Sequence, residues 1–288
     1  MTLLLIPGLS AIADKYDALL CDVWGVLHNG KRAYPGVPEA LAKFRARGGH
    51  VLLLSNAPRP SDALPVMFES FGIPHDVYDG ILTSGDATRL CLSRHEYGTR
   101  CYHIGPERDL ALFDGTGVDR VAEEEADVIL VTGPFDDEVE GPEDYREQFG
   151  RLVARGLPLI CANPDIVVER GDRHIYCAGA LAKLYGELGG QVVYFGKPHG
   201  PVYDIARQRL AGFAGEPVPD ARILAAGDGP LTDIKGANDA GIDALFITGG
   251  IAAADCGPSP EAPEEDRVAL VLERAHIRAV GAMPRLVW

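Results

Sequence analysis

Short apolar runs alternate with amphipathic stretches along most of the chain. "ALLCD" (18–22), "HVLLLSN" (50–56) and "DGILTSG" (79–85) read as buried strands. Runs of that length, bounded by turn formers, suit strands covered on both faces. "GVPEALAKFRARGG" (36–49) carries apolar residues at helical spacing and ends on glycines, so it predicts a helix. "PSDALPVMFESFGI" (60–73) predicts a second helix, interrupted by Pro65, and "GDATRLCLSRHEYG" (85–98) a third that begins on an Asp86 cap.

From Thr99 the pattern restarts. "RCYHIG", "ADVILVTG" and "PLICAN" predict strands, with helices over "PEDYREQFGRLVARG" and "GALAKLYGELGG". "VVYFGKPHG", "ARILAAGDG" and "DALFITGG" are expected to complete the first sheet. "CGPSPEAPEEDR" (256–267) reads as an exposed acidic loop. Apolar strands followed by helices argue for an α/β fold of βαβ units around a parallel sheet.

The length of 288 residues suits a core with an inserted second domain. A net charge of −15 argues against a nucleic-acid binder, which needs a basic footprint, and disfavours an anionic membrane surface. It does not exclude a small anionic substrate, since a metal ion inverts the local field. The six cysteines form no C-x-x-C pair, which suggests buried, reduced thiols. No apolar run reaches the roughly 20 residues of a membrane span. "MTLLLIPGLS" has neither the length nor the basic start of a signal peptide. A cytoplasmic location is the expectation.

Four apolar runs end in a polar residue and a turn: Asp22, Ser55-Asn56, Lys197, and Asp228 with Asp233. In open parallel sheets ligands bind beyond the carboxyl ends of strands, so these ends converge on one crevice. Singly, each has a plainer reading: Asp22 and Asp228 as turn caps, Ser55-Asn56 as a helix cap, Lys197 as a surface cation, "GDG" as a turn. Together and in this order they carry chemistry.

"DVWGVL", "LLLSN", "GKPHGPVYD" and "GDGPLTDIKGAND" resemble, in order, the four motifs of the haloacid dehalogenase (HAD) superfamily. The position of the insert resembles subclass IIA, the NagD-like and nitrophenylphosphatase-like group. "TSGDAT" (83–88) resembles its core-to-cap hinge and "ANPD" (162–165) its cap motif. The resemblance implies a HAD-like Rossmannoid core with a parallel sheet (residues 1–85 and 190–288) and an inserted α/β cap (86–189). It implies a Mg²⁺-dependent hydrolase of a small phosphorylated metabolite, with Asp22 as nucleophile and an aspartyl-phosphate intermediate. Asp22, Asp228, Asp233 and the carbonyl of Trp24 would hold the metal. Ser55, the Asn56 N–H and Lys197 would hold the phosphoryl oxygens. Asn163 and Asp165 would meet substrate from the cap, with Arg170, Arg173, His174 and His199 as further candidates beside plain loop roles. Caps of this group often pair, so a homodimer is expected.

One departure changes the picture. Phosphatases of this superfamily carry an aspartate at the position of Trp24, which protonates the leaving oxygen and activates water. An indole N–H has no pKa suited to either task. Three outcomes follow: hydrolysis confined to leaving groups that need no proton, a substitute acid such as His28 (otherwise a solvent-facing loop histidine), or binding without turnover. Trp24 would then pack on its own flap or wall a substrate ring. Dehalogenases lack the acidic fourth motif present here as Asp228 and Asp233. Phosphonatases carry a helical cap for which the stretch between Asp22 and Ser55 is too short. The alternative from another class is a phosphometabolite-binding or regulatory protein that keeps the metal site.

Overall fold

The computed structural model describes residues 5–170 and 173–288. The chain divides into two compact units. One holds the chain through Ser55 with Ala63–Leu82 and Tyr203–Trp288; the other holds Asn56–Asp62 and Thr83–Val202.

The first unit is built on a six-stranded sheet in the order Gly281–Met283, Asp243–Ile247, Ile223–Gly227, Ala18–Asp22, His50–Ser55, Gly80–Thr83. Ala18–Asp22 pairs in parallel with both neighbours, and every residue in it is buried. Such strands are apolar throughout because helices cover both faces. The helix Val37–Ala46 buries Val37, Ala40, Leu41 and Phe44, the i, i+3, i+4, i+7 stripe of an amphipathic helix. Pro65 starts its helix (Pro65–Ser70) instead of interrupting one, since the first turn has no use for the missing N–H. The acidic loop ends sooner than expected. A helix runs over Glu265–Arg274, with Glu265 and Asp266 in its first turn, where they favour the helix dipole, and Val268 and Leu272 buried.

The second unit carries a five-stranded sheet ordered Val192–Tyr194, Leu159–Cys161, Val128–Val131, Arg100–Ile104, Asp119–Arg120, parallel throughout. The strand of "VVYFGKPHG" therefore belongs here and not to the first sheet, a correction to the sequence reading. It follows the helix Ala178–Glu187 directly, and a short crossover returns the chain beside the preceding parallel strand, Leu159–Cys161. Phe149 and Tyr185, from the helices Arg146–Ala154 and Ala178–Glu187, meet edge to face at 5.3 Å. Thr83, not Asp86, caps the helix Ser84–Ser93. Its hydroxyl accepts from the Asp86 N–H at 2.9 Å while Asp86 accepts from the Thr83 N–H at 3.2 Å, a reciprocal capping box.

All six cysteines are buried thiols. Burial pushes Cys101 and Cys161 up to about 12, so they are inert packing groups. Among the described residues no helix is long and apolar enough to cross a membrane.

Candidate active site

Asp22 is the last residue of its strand. The parallel register sets it opposite Leu54, so Ser55 ends the neighbouring strand one step beyond. On the other side Cys21 faces Ala226, and Asp228 leaves its strand at the same end. Asp233 returns in the single π-helical turn Pro230–Ile234. Asp22, Asp228 and Asp233 are all buried, and one carboxylate oxygen from each lies within 4.8 Å of the others. At an effective dielectric of about 20, each pair of like charges at such a distance costs on the order of 3 kcal/mol. A divalent cation offsets that repulsion, and an all-oxygen set of carboxylates is what a hard cation takes. The residues present therefore fit a metal ion.

Backbone closes around these carboxylates. The Ile251 N–H donates to Asp228 Oδ2 at 2.7 Å, and the Gly229 N–H to Asp233 Oδ2 at 3.0 Å. A Cβ on Gly25, which sits at φ +91°, would lie 2.0 Å from Asp228 Oδ2; one on Gly250 would lie 1.9 Å away. Glycine is required at both positions for the main chain to come this close.

The loop after Asp22 folds onto itself. The Gly25 N–H donates to the His28 carbonyl at 3.0 Å, and the Gly30 N–H to His28 Nδ1 at 3.0 Å. With Nδ1 accepting, the imidazole proton sits on Nε2, which has no hydrogen-bond partner. His28 is only 1% exposed and packs among Trp24, Phe68 and Phe71 at centroid distances of 5.4, 5.8 and 5.1 Å. The solvent-facing reading of His28 is thus overturned: its ring completes an aromatic cluster. Burial lowers its pKa to about 4, so the imidazole is neutral at pH 7. Trp24 lies over Gly30, where a Cβ would come within 2.6 Å of the indole, yet it stays 37% exposed.

In the second unit one amide ties three candidate segments together. Asn56 Oδ1 accepts from the Lys197 N–H at 2.8 Å, and Asn56 Nδ2 donates to the Lys197 carbonyl at 3.0 Å and to Asp165 Oδ1 at 2.8 Å. Asn163 Oδ1 accepts from the Asp165 N–H at 3.0 Å, a local turn bond. His199 stacks on Tyr194 at 4.5 Å, with the rings within 6° of parallel. The side chains of Arg170, Arg173 and His174 lie outside the described residues, while their backbone forms the antiparallel hairpin Val167–Arg170 with Arg173–Tyr176.

Residues 19–119 match the profile of the haloacid dehalogenase-like hydrolases, and residues 194–274 match a second, HAD-hydrolase-like profile. A haloacid dehalogenase-like hydrolase from Brucella suis 1330 is 45% identical over 98% of this chain and 100% of its own, with a TM-score of 0.87. The chain belongs to the haloacid dehalogenase-like family. Ribonucleotide monophosphatase NagD of Escherichia coli K12 is 26% identical over 242 residues, 82% of this chain and 89% of NagD. Phosphoglycolate phosphatase 2 of Arabidopsis thaliana is 24% identical over 266 residues, 84% and 85% of the two chains. Within the family the chain falls in the NagD-like phosphatase group, subclass IIA.

Set in this family, two features stand outside what the motifs alone indicate. The glycine cradle of Gly25 and Gly250 and the donor on Ile251 were not among the candidates; "GG" after "DALFIT" was the only signal for Gly250 and Ile251. Nor was the side chain of Asn56, whose three hydrogen bonds connect residues far apart in the chain.

Proposed function

We propose that this HAD-like hydrolase removes phosphate from a small phosphorylated metabolite through an aspartyl-phosphate on Asp22. The observation that carries the reading is the buried triad of Asp22, Asp228 and Asp233 at the carboxyl end of the sheet. Asp22 attacks phosphorus as the bond to the leaving oxygen breaks, and that oxygen keeps the electron pair. Mg²⁺ is the cation this set would take, with Asp22, Asp228, Asp233 and the Trp24 carbonyl as its protein oxygens; when bound it supplies charge neutralisation between carboxylate and phosphate. The Ser55 hydroxyl, the Asn56 N–H and Lys197 hold the phosphoryl oxygens in the same reading, with Lys197 countering their charge. Asn163, Asp165 and His199 contribute to the substrate's surroundings. A cytoplasmic location and pairing of two copies through residues 86–189 belong to the same proposal.

Trp24 shapes the scope of the reaction. Its indole neither protonates a leaving oxygen nor activates water, and the neutral, aromatic-packed His28 gives no acid in its place. Loss of a general acid or base costs about 10²–10⁴-fold. Acyl and aryl phosphates, whose leaving groups depart unprotonated, are therefore the preferred substrates, and alkyl phosphates are slow. The relatives' named substrates, a ribonucleotide monophosphate and phosphoglycolate, do not agree on one compound and identify none here.

Phosphate release from acetyl phosphate, p-nitrophenyl phosphate and a panel of alkyl phosphates tests the reading, with Mg²⁺ and with Asp22→Asn alongside. Mg²⁺-dependent turnover lost in the variant is the expected result. The same release from Asp22→Asn sinks the mechanism. Stabilisation by phosphorylated compounds without turnover favours the second reading, a phosphometabolite-binding protein, for which the absent acid at Trp24 is the specific observation.

A further inference from the structure

Asp165 stands on a turn whose backbone is held at both ends. Its N–H donates to Asn163 Oδ1 at 3.0 Å, and its carbonyl accepts from the Gly179 N–H at 3.1 Å. A Cβ on Gly179 would lie 2.5 Å from that carbonyl oxygen, so the helix Ala178–Glu187 starts flush against the turn. The segment that carries Asn56 is anchored too, because the Ala57 carbonyl accepts from the Gly85 N–H at 3.0 Å. All of these residues, and Lys197, belong to the second compact unit.

The Asn56 amide spans the two anchored segments and Lys197. It grips the Lys197 residue on both of its main-chain groups, accepting from the N–H and donating to the carbonyl, and it donates to Asp165 Oδ1. Reversing the amide would set Nδ2 against the Lys197 N–H, and Oδ1 against both the Lys197 carbonyl and the Asp165 carboxylate. Asp165 thus helps to fix which way the amide faces, and the amide fixes the Lys197 main chain. Gly196 shows how closely the segments meet. It sits at φ +141°, where a Cβ would lie 2.7 Å from Asn56 Oδ1 and 2.7 Å from Pro164 Cδ. Asn56 is 4% and Lys197 3% exposed, so solvent competes little for these bonds.

We infer that Asp165 is a positioning residue for phosphoryl binding: through the Asn56 amide it sets the main chain of Lys197, the cation that counters the phosphate charge. This rests on the phosphohydrolase reading. In that role Asp165 acts on the phosphoryl group, which every substrate shares, and not on the leaving group. A misplacement of about 1 Å in a catalytic group costs as much as 10²-fold in rate.

The test compares the wild type with Asp165→Ala, Asn56→Ala, the double variant and Asp165→Asn. The readouts are kcat/KM for acetyl phosphate and p-nitrophenyl phosphate, and the Kd of inorganic phosphate by calorimetry, all with Mg²⁺. Asp165→Ala should lose at least tenfold in kcat/KM, by the same factor on both substrates, and should bind phosphate more weakly. The double variant should be no slower than Asn56→Ala, because Asp165 acts only through that amide. Asp165→Asn keeps an accepting oxygen and should lose less than Asp165→Ala. Melting curves establish that each variant is folded; should Asp165→Ala not fold, Asn56→Ala and Asp165→Asn carry the comparison between leaving groups. Unequal losses on the two substrates, a double variant slower than Asn56→Ala, or full activity in Asp165→Ala overturns the inference and leaves the hydrolase reading standing. A wild type that neither turns over these compounds nor binds phosphate overturns both.

Discussion

Replacing Asn56 by aspartate keeps the shape of the side chain and inverts its polarity. The retained oxygen still accepts from the Lys197 N–H. The former Nδ2 becomes an oxygen, facing Asp165 Oδ1 at 2.8 Å and the Lys197 carbonyl at 3.0 Å. The bond to Asp165 is charge-assisted, worth about 1.5–3 kcal/mol, and a buried carbonyl left without its donor costs about 1–3 kcal/mol. Asn56→Asp should therefore destabilise by roughly 2.5–6 kcal/mol, well above the typical point substitution of about 1 kcal/mol. Asp165→Asn alone should cost less, because its amide oxygen can still accept from Asn56. In Asn56→Asp/Asp165→Asn the pair is restored with donor and acceptor exchanged. The double variant should recover about 1.5–3 kcal/mol relative to additivity. Calorimetric melting of the four proteins completes the cycle. A coupling below about 0.5 kcal/mol, the ordinary error of additivity, refutes the claim that Asn56 and Asp165 act as one unit.

Mg²⁺ should raise Tm, by the equivalent of about 2.7 kcal/mol at a hundred times its Kd, and Asp228→Asn should erase the rise; an equal shift in the variant argues against the triad as the metal site. Acid should destabilise through His28 and His103, whose pKa values burial lowers from 6.5 to about 4. The unfolded chain takes up those protons first, so this stability is full above pH 6.5 and is lost as pH falls towards 4. Unfolding free energies of His28→Leu should fall less steeply than wild type across that window, and parallel curves would remove His28 as a contributor. Trp24→Asp should speed alkyl phosphate turnover by about 10²-fold or more, and speed aryl phosphate turnover less. With p-nitrophenyl phosphate the wild type should release one equivalent of nitrophenolate in a burst, because water attack on the aspartyl-phosphate lacks a base. A linear time course with no burst would show that the second step is not limiting.

The elements legible from the sequence are those whose residues face the same environment from end to end. Ala18–Asp22 and Ile223–Gly227 are buried at every position, so an unbroken apolar run reports them faithfully. The helix Val37–Ala46 was legible for the complementary reason, one buried stripe at a 3.6-residue period. What an apolar run does not carry is the identity of the sheet it joins. Val192–Tyr194 is half-buried at all three positions and reads like any short strand. Its neighbour is decided by the helix before it, a connection rule and not a property of "VVY". The cap of Ser84–Ser93 was misplaced because Asp86 is itself a good cap residue. The reciprocal bonds with Thr83 put it at the third helical position.

The site divides along the same line. Asp22, Asp228 and Asp233 are legible because each stands directly after a buried run or in the turn that follows it, and parallel registers align strand ends without help from side chains. Asn56 belongs to a legible segment, but its role is not legible, since its partners lie more than 100 residues away: the separation is 109 to Asp165 and 141 to Lys197. His28 fails in the other direction. A histidine between leucine and asparagine in a glycine-bounded loop looks solvated, and only the rings of Phe68 and Phe71 make it a core residue. That burial bears on the central question of the chain. The imidazole is neutral at pH 7 and its Nδ1 is engaged by the Gly30 N–H, so the proposed mechanism assigns His28 no proton transfer. Under the proposed mechanism, the lack of a proton donor at Trp24 favours leaving groups that depart unprotonated.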